Sequence, residues 1–187
     1  MQIPRSPPPG IVGVPLLNAR LVPLNGRPTP FRDACVKMEA MVVLEEFETK
    51  TGGRLDALDI TAEVEDTVRR SGVLQGTVLV FSPHTTCCVL LASPRAPMLD
   101  ALARAMDTVA PEDGYYAHDD LDIRTENLVE DEPANAPAHI VHVFVGKASE
   151  CIPIVGGDVI LGAGQKVLFV ELDSSRPRRY VVQVLGE

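Results

Sequence analysis

The sequence contains no uninterrupted apolar run long enough to cross a bilayer, and it does not begin with a basic segment followed by an apolar core. We therefore expect neither a membrane-spanning helix nor a secretory signal, and we expect a cytoplasmic location. With 187 residues, of which 45% are apolar, the chain is long enough to form one globular domain with a sizeable core.

Basic residues are also scarce. The sequence has 17 lysines and arginines and 26 acidic residues, which gives a formal net charge of −9. Residues 112–132 contribute most of this charge, because they hold nine carboxylates against the single base Arg124. Most of this run is typical of a solvated loop. Without a basic stripe interleaved with aromatic residues, binding to nucleic acid is not expected.

Cysteine is rare as well, with four in the chain: Cys35, Cys87, Cys88 and Cys151. The neighbours Cys87 and Cys88 should point to opposite faces of a strand, which is more typical of small buried side chains than of a disulfide or a metal site. The absence of a disulfide framework agrees with a reducing compartment.

The order of predicted elements indicates an α+β fold in which mainly antiparallel β-sheets pack together with two helices. Residues 1–35 are rich in proline and are predicted to form an extended arm, and residues 36–187 a single domain. Strands are predicted at 36–48, 76–81, 87–91, 139–145, 151–155, 158–161, 166–172 and 179–185.

Two helices are predicted from their start and stop signals. The first helix begins near Asp59 and ends at Ser71-Gly72. The second begins at Pro94 and Pro97 and ends at Pro111. The apolar stripe of the second helix is expected to face the core; it consists of Met98, Leu102, Met106 and Val109.

A histidine stands at the mouth of a buried strand. The apolar run that ends at Phe81 is followed by Pro83, which cannot donate to a ladder, and then by His84, Thr85 and Thr86. A lone histidine at a strand end is more often a cap bonded to the backbone than a catalytic group. Three further histidines in the same part of the chain favour a functional role here.

The other histidines are His118, His139 and His142. His118 opens an acidic stretch, where the carboxylate of Asp119 or Asp120 could orient its imidazole or help to hold a cation. If residues 139–145 form a strand, His139 and His142 face opposite sides. We therefore predict that His84, His118 and His139 converge and that His142 lies apart.

The C-terminal third adds polar candidates. Alternation along the strand at 166–172 places Gln165 and Glu171 on one otherwise apolar face, where a carboxylate needs a partner or a function. Arg176 and Arg178 then suit the bidentate recognition of phosphate or carboxylate groups. An equally weighted alternative is that they form salt bridges with Glu171 and Asp173.

Taken in order, several of these segments resemble the YjbQ family, whose members are described as secondary thiamine-phosphate synthases. The similarity covers about residues 45–187 and is carried by the segments 81–86, 118–120, 123–127, 135–139, 162–165 and 171–173, followed by Arg176 and Arg178. The resemblance implies a compact α+β fold, a homotrimer and a polar site. That site would contain His84, Thr85, His118, Asn135, His139, Gln165 and Glu171.

The chain also departs from the family pattern at three places. Ser93-Pro94 replaces an asparagine-glutamate pair, Ala136-Pro137 replaces a glycine-histidine pair, and Gly164 replaces a tryptophan. The chain has no tryptophan at all, so it lacks one aromatic platform on which a substrate ring could stack.

Three functional hypotheses follow. In the first, the chain joins an aminopyrimidine methyl diphosphate to a thiazole phosphate and releases pyrophosphate. Arg176, Arg178, Thr85 and Thr86 would bind phosphate, with Asn135 and Gln165 as further substrate contacts. The catalytic group would comprise His84, His118, His139 and Glu171, and its three histidines would shuttle protons or hold Mg²⁺ or Zn²⁺.

In the second hypothesis, His84, His118, His139 and Glu171 form the metal site of a hydrolase. In the third, the protein is a trimeric binding or scaffold protein without catalysis.

Overall fold

Two antiparallel sheets carry the fold in the computed structural model, which describes residues 40–126, 133–144 and 147–187. The strands are β1 Met41–Lys50, β2 Ala57–Asp59, β3 Gln75–Phe81, β4 Cys87–Ala92, β5 Ser149–Val155, β6 Asp158–Val159, β7 Lys166–Glu171 and β8 Pro177–Gly186. The helices are α1 Thr61–Ser71, α2 Ala96–Val109 and α3 Ala136–Phe144. The predicted α+β class with mainly antiparallel sheets is confirmed.

The larger sheet has the strand order β1-β8-β3-β5-β6, and the smaller sheet has the order β2-β7-β4. Every neighbouring pair in both sheets is antiparallel. The hairpin between β5 and β6 turns at Gly156 and Gly157, which have φ values of 63° and 86°. This confirms the predicted glycine turn, since both positions need the left-handed conformation.

The smaller sheet lies between two apolar cores. Val182 and Val184 of β8 pack in the first core with Phe169 of β7 and with helix α1. Leu168 and Val170, on the other face of β7, pack in the second core with helices α2 and α3. Five consecutive residues of β7, from Val167 to Glu171, are therefore buried, as expected for a strand that is covered on both faces.

The larger sheet has one face on the core and one face outside it. Alternation turns Leu44 of β1, Phe81 of β3 and Leu185 of β8 to the outer face, where they are 54%, 39% and 41% exposed. Within the described ranges, the helices belong to the core side of this sheet, so its outer face is open to solvent; it carries these apolar side chains together with the charged Glu46 and Arg179.

The two predicted helices are confirmed, with one correction to the stripe of α2. Helix α1 ends at Gly72, whose φ of 72° closes the helix as the sequence indicated. In α2, Met106 is fully buried, but Met98 and Val109 are 54% and 44% exposed. The prediction that these two side chains belong to the core is wrong, because only one side of α2 reaches the second core.

The predicted strand at 139–145 is wrong, and so is the count of two helices, because the described residues contain a third helix, α3. Its first turn holds Pro137, which has no amide hydrogen to leave unpaired at this position. The carbonyl of Asn135 accepts the amides of Ala138 and His139 at 3.0 and 3.3 Å. His139 and His142 lie one turn apart on this helix, so the argument that they face opposite ways fails.

The proline-rich arm predicted at residues 1–35 lies outside the described residues, as does part of the acidic run. Cys87 and Cys88 are buried and unpaired, as the sequence indicated. No helix in the described ranges has the length and apolar character that a membrane crossing needs.

Candidate functional site

His84 lies just after the end of β3, where Pro83 stops the strand. Its Nε2 atom accepts a hydrogen bond from the Arg179 amide at 3.1 Å, so the neutral ring carries its proton on Nδ1. Burial and the neighbouring Arg178 guanidinium lower the pKa of His84 below its ordinary value of 6.5. The imidazole is therefore neutral near pH 7, with its Nδ1–H as a donor.

An ion pair underlies the site. Arg178 Nε lies 2.6 Å from Glu171 Oε2, and Arg178 Nη2 lies 2.7 Å from Glu171 Oε1. The same Nη2 donates to Thr86 Oγ1 at 3.1 Å, which fixes the strand-end loop to the pair. Thr51 Oγ1 also donates to Glu171 at 2.9 Å. Burial alone would raise the pKa of Glu171, but these hydrogen bonds, led by those of Arg178, hold it below its ordinary value.

The thiol of Cys87 contacts the same carboxylate. Its Sγ lies 3.5 Å from Glu171 Oε2. Burial, together with the negative charge of Glu171, raises the pKa of Cys87 to about 12. The thiol is thus protonated at neutral pH and is not a nucleophile in this site.

Helix α3 forms the opposite wall. Asn135 Nδ2 donates to Asp173 Oδ2 at 2.9 Å, and Arg176 Nη2 donates to the same oxygen at 2.6 Å. The ring of His139 lies with its centroid 4.9 Å from that of His118. Burial and the adjacent His118 ring lower the pKa of His139, so this imidazole is also neutral near pH 7.

The loop around His118 holds the first turn of α3. Asp119 Oδ1 lies 2.8 Å from His118 Nδ1 and accepts the Ala136 amide at 2.9 Å. His118 Nε2 lies 3.2 Å from Arg124 Nη1. Both ring nitrogens of His118 are therefore engaged by protein groups.

Together these walls enclose a polar cavity of about 280 Å³, which is lined by residues 83–86, Pro133, Asn135, His139, Arg176 and Arg178. A second opening of about 550 Å³ adjoins it beside the ends of β1 and β8. His84 and Arg178 line both spaces, so they stand at the boundary between the two.

Most of the residues proposed from the sequence come together here. His84, Thr85, Thr86, Asn135, His139, Arg176 and Arg178 line the smaller cavity. Glu171 lies behind Arg178, and His118 reaches the cavity through its contact with His139. Their roles stay predictions. The salt-bridge alternative for the arginines is what the geometry shows, since Arg176 pairs with Asp173 and Arg178 with Glu171.

Gln165 is not brought to this cavity. Its exposed side chain accepts the Gly162 amide at 2.7 Å at the start of β7. Glu171 ends the same strand six residues later, which at about 3.3 Å per residue is roughly 20 Å away. Alternation places residues on a face, but it does not bring the two ends of a strand into one site.

The three predicted metal ligands do not form a ligand set in this geometry. His118 Nε2 faces a guanidinium, and His84 Nε2 is taken by a backbone amide. Within the described ranges, no group of three His, Cys, Asp or Glu side chains is arranged to hold a metal ion. The metal therefore stays a prediction.

Sequence reasoning missed Thr51 and the structural part played by Asp119. Thr51 is fully buried and bonds Glu171 across 120 residues, and no local pattern marks it except its place before a glycine pair. Asp119 was considered as a partner of His118, but its bond to the Ala136 amide depends on the helix that the sequence did not predict.

Comparisons with known proteins agree with this fold. The family model described as UPF0047 protein YjbQ-like matches residues 45–187. A UPF0047 protein of Archaeoglobus fulgidus is 33% identical over 140 residues, which cover 75% of this chain and 99% of the relative. The UPF0047 protein YugU of Bacillus subtilis is 30% identical over 145 residues, which cover 77% of this chain and all of the relative.

Solved structures show the same architecture. A YbjQ-like protein of unknown function from Sulfolobus solfataricus superposes with a TM-score of 0.70 at 25% identity, covering 80% of this chain and 100% of that one. An uncharacterised yjbq/upf0047 family protein from Clostridium acetobutylicum gives a TM-score of 0.64 at 30% identity, covering 75% of this chain and 98% of that one.

Proposed function

Since the chain belongs to the UPF0047 YjbQ-like family, whose relatives above carry no named activity, we propose a function from the residues of the site and from the family resemblance of the sequence. The protein is an enzyme that acts on a small phosphorylated substrate in the cavity between His84 and His139. The reaction, which is the one that the family resemblance implies, joins an aminopyrimidine methyl diphosphate to a thiazole phosphate and releases pyrophosphate.

The observation that supports this proposal best is the convergence of two arginines and two threonines on one cavity. Arg178 uses Nε and Nη2 for Glu171 and Thr86, so its described contacts leave Nη1 for a ligand. Arg176 uses Nη2 for Asp173 and Ser174, which leaves Nε and Nη1. The carboxylates hold both guanidinium groups in place before a phosphate arrives, which is the preorganisation that anion binding requires.

The proposed step needs a stabilised leaving group and no net proton transfer. The bond between the substrate's methylene carbon and the diphosphate oxygen breaks, and its electron pair leaves with pyrophosphate. The thiazole nitrogen then forms the new C–N bond and becomes a positively charged ring nitrogen. Arg176 and Arg178 stabilise the leaving charge. His84 and His139 are neutral near pH 7, so they add no repulsion next to the electron-poor carbon.

The two adjoining spaces together have the size of a small-molecule site. Pockets for small molecules typically measure about 300–1,000 Å³. The 280 Å³ cavity alone is slightly below this range, but with the adjoining 550 Å³ space beyond His84 it offers room for two small reactants on either side of that histidine.

Pyrophosphate release from the two substrates tests this function, with Arg176→Ala as the variant. Loss of one charge-stabilising donor should lower turnover by about 10²–10³-fold. Arg69→Ala is the matched control, because Arg69 also pairs with an aspartate three residues earlier but lies on the exposed face of α1. A wild-type protein that releases no pyrophosphate, or two variants of equal activity, would contradict the proposal.

The two alternatives have less support. A zinc hydrolase needs three ligands with free nitrogen lone pairs, and His118 and His84 use theirs for other contacts. A non-catalytic binding protein would bind pyrophosphate without turnover, so the same assay combined with a binding measurement separates it from the synthase.

We also propose that the protein works as a homotrimer with the histidine site close to a subunit boundary. Strands β1 and β6 are the edges of the larger sheet among the described strands, and edges of this kind pair readily with other chains unless they are covered. The exposed apolar side chains on the outer face of the same sheet, Leu44, Phe81 and Leu185, add surface suited to burial. The 550 Å³ opening lies beside the ends of β1 and β8, next to this face.

A further inference from the structure

Asn135 has a buried acceptor that no protein donor satisfies. The residue is 8% exposed, and its Nδ2 donates to Asp173 Oδ2 at 2.9 Å, which fixes the orientation of the amide. Its Oδ1 atom has no hydrogen-bond partner within the described part of the chain. Buried side-chain oxygens are nearly always paired, because an unpaired one loses its bond to water without replacement.

The position of Asn135 makes this more unusual. It precedes the first residue of α3, where an asparagine oxygen ordinarily accepts an amide of the first helical turn. Here the second helical residue, Pro137, has no amide hydrogen, and the amide of the third, Ala138, donates to the backbone carbonyl of Asn135 at 3.0 Å. The side-chain oxygen of Asn135 therefore has no capping role.

Asn135 also separates two cavities of different charge. On one side lies the 280 Å³ cavity with Arg176 and Arg178. On the other side lies a cavity of about 240 Å³, lined among others by Glu112, Asp119, Asp173 and a single arginine, Arg54. Phosphate groups suit the first space. Oxygen acceptors surround the second, so a ligand group placed there is stabilised if it donates hydrogen bonds.

We propose that Asn135 Oδ1 accepts a hydrogen bond from an N–H group of the substrate, and that the site therefore selects phosphorylated compounds that carry an amino group. This inference rests on the proposed function and adds its specificity element. The phosphate end contacts the arginines, and the amino end reaches the asparagine at the wall that this cavity shares with the acidic one.

Calorimetric titration of the full-length protein with two ligands tests the proposal. The first ligand is the aminopyrimidine methyl diphosphate without its thiazole partner, so no turnover occurs. The second is the same compound with hydrogen in place of the amino group. The wild-type protein should bind the first at least about tenfold more tightly, since a site that pairs with a donor discriminates against a ligand without one.

Asn135→Leu removes the acceptor oxygen and keeps a similar side-chain volume. This variant should bind the ligand with the amino group and the ligand without it about equally tightly. Pyrophosphate binding provides the control, because Arg176 shares Asp173 Oδ2 with Asn135, and unchanged binding shows that the arginine side has kept its place in the variant. If the variant misfolds or also loses pyrophosphate binding, the comparison of the two ligands on the wild-type protein decides alone.

The outcomes separate this inference from the proposed function. Equal wild-type affinity for the two ligands, with pyrophosphate release intact, would overturn the role of Asn135 and leave the proposed reaction standing. Binding of pyrophosphate with no binding of either pyrimidine would overturn both.

Discussion

Arg178 and Glu171 meet side on inside the protein, with Nε and Nη2 of the guanidinium 2.6 and 2.7 Å from the two carboxylate oxygens. Their side chains are 6% and 0% exposed. The pair joins the ends of β7 and β8 to the loop that carries His84, because Arg178 also bonds Thr86. The site therefore depends on a charged contact in the core.

Glu171→Gln should destabilise the fold strongly. Removal of one partner from a buried ion pair leaves an uncompensated charge and costs about 3–5 kcal/mol. Asp66→Asn is the control, because Asp66 pairs with Arg69 on the exposed face of α1, where such pairs contribute about 0–1 kcal/mol. Urea unfolding measures both free energies, and a loss in Glu171→Gln no larger than that of the control would refute the role of the pair.

The same carboxylate predicts an acid-sensitive fold. The pKa of Glu171 is lowered in the folded state from its ordinary value of 4.5, so below that pH the unfolded chain binds more protons. The contribution of Glu171 to stability is complete above about pH 5 and is lost as the pH falls through the folded-state pKa. Unfolding free energies from about pH 6 to about pH 3 should show this loss, and Glu171→Gln should have a shallower slope.

His84 and His139 predict a second, milder pH dependence. Burial lowers the pKa of each below 6.5, so the unfolded chain binds more protons as the pH drops below that value. Stability contributed by the neutral rings is present above about pH 6.5 and declines below it. NMR titration of the ring signals should give both midpoints below 6.5. Midpoints at or above the ordinary value would show that the rings are not buried as described.

His84→Ala should abolish pyrophosphate release, because it removes the Nδ1–H donor at the boundary between the two spaces proposed for the reactants, and it should leave the fold largely intact. The side chain is only partly buried and makes one hydrogen bond among the described residues, with the Arg179 amide, so about 1 kcal/mol of stability is at stake. His142→Ala is the control, because His142 does not line the cavity. An insoluble His84→Ala protein, or one that loses several kcal/mol, would show that His84 is structural.

Leu44→Glu should disrupt the proposed trimer. Leu44 is 54% exposed on the outer face of the larger sheet, where a buried carboxylate in a subunit contact would be unpaired. Leu121→Glu is the matched control, with Leu121 49% exposed in the acidic loop. Light scattering at micromolar concentration should report three subunits for the wild type and the control and one for Leu44→Glu. A fully active wild-type monomer would refute the assembly.

Local chemistry explains which helices were predictable. Gly72 closes α1, and prolines bracket α2, so both helices carry their boundaries in their own sequence. Helix α3 contains the β-branched run Ile140-Val141, and its first amide is capped by Asp119, 17 residues earlier in the chain. A pattern read along the chain favours a strand there, because the groups that stabilise the helix are brought to it only by the fold.

The same distinction applies to the site. His84 was identifiable because a buried strand stops beside it, and the arginines because they cluster in one loop. Thr51 was not identifiable from the sequence, because its bond to Glu171 depends on how distant strands pair. Gln165 was misplaced because a shared strand face says nothing about distance along the strand.

Helix α3, which forms one wall of the cavity, is attached to the rest of the protein more firmly at its first turn than at its last. Its first turn is held by Asp119 and, through Asn135, by Asp173, whereas Val143 and Phe144 at its other end are 77% and 74% exposed. Amide hydrogens near Phe144 will exchange with solvent through fraying of the last turn, at little cost in free energy. Those of Ala138 and His139 will exchange only when their bonds to the Asn135 carbonyl open, and the contacts of Asp119 and Asp173 with the start of the helix oppose that opening. Occupancy of the cavity will therefore slow exchange in the first turn and leave the last turn unchanged.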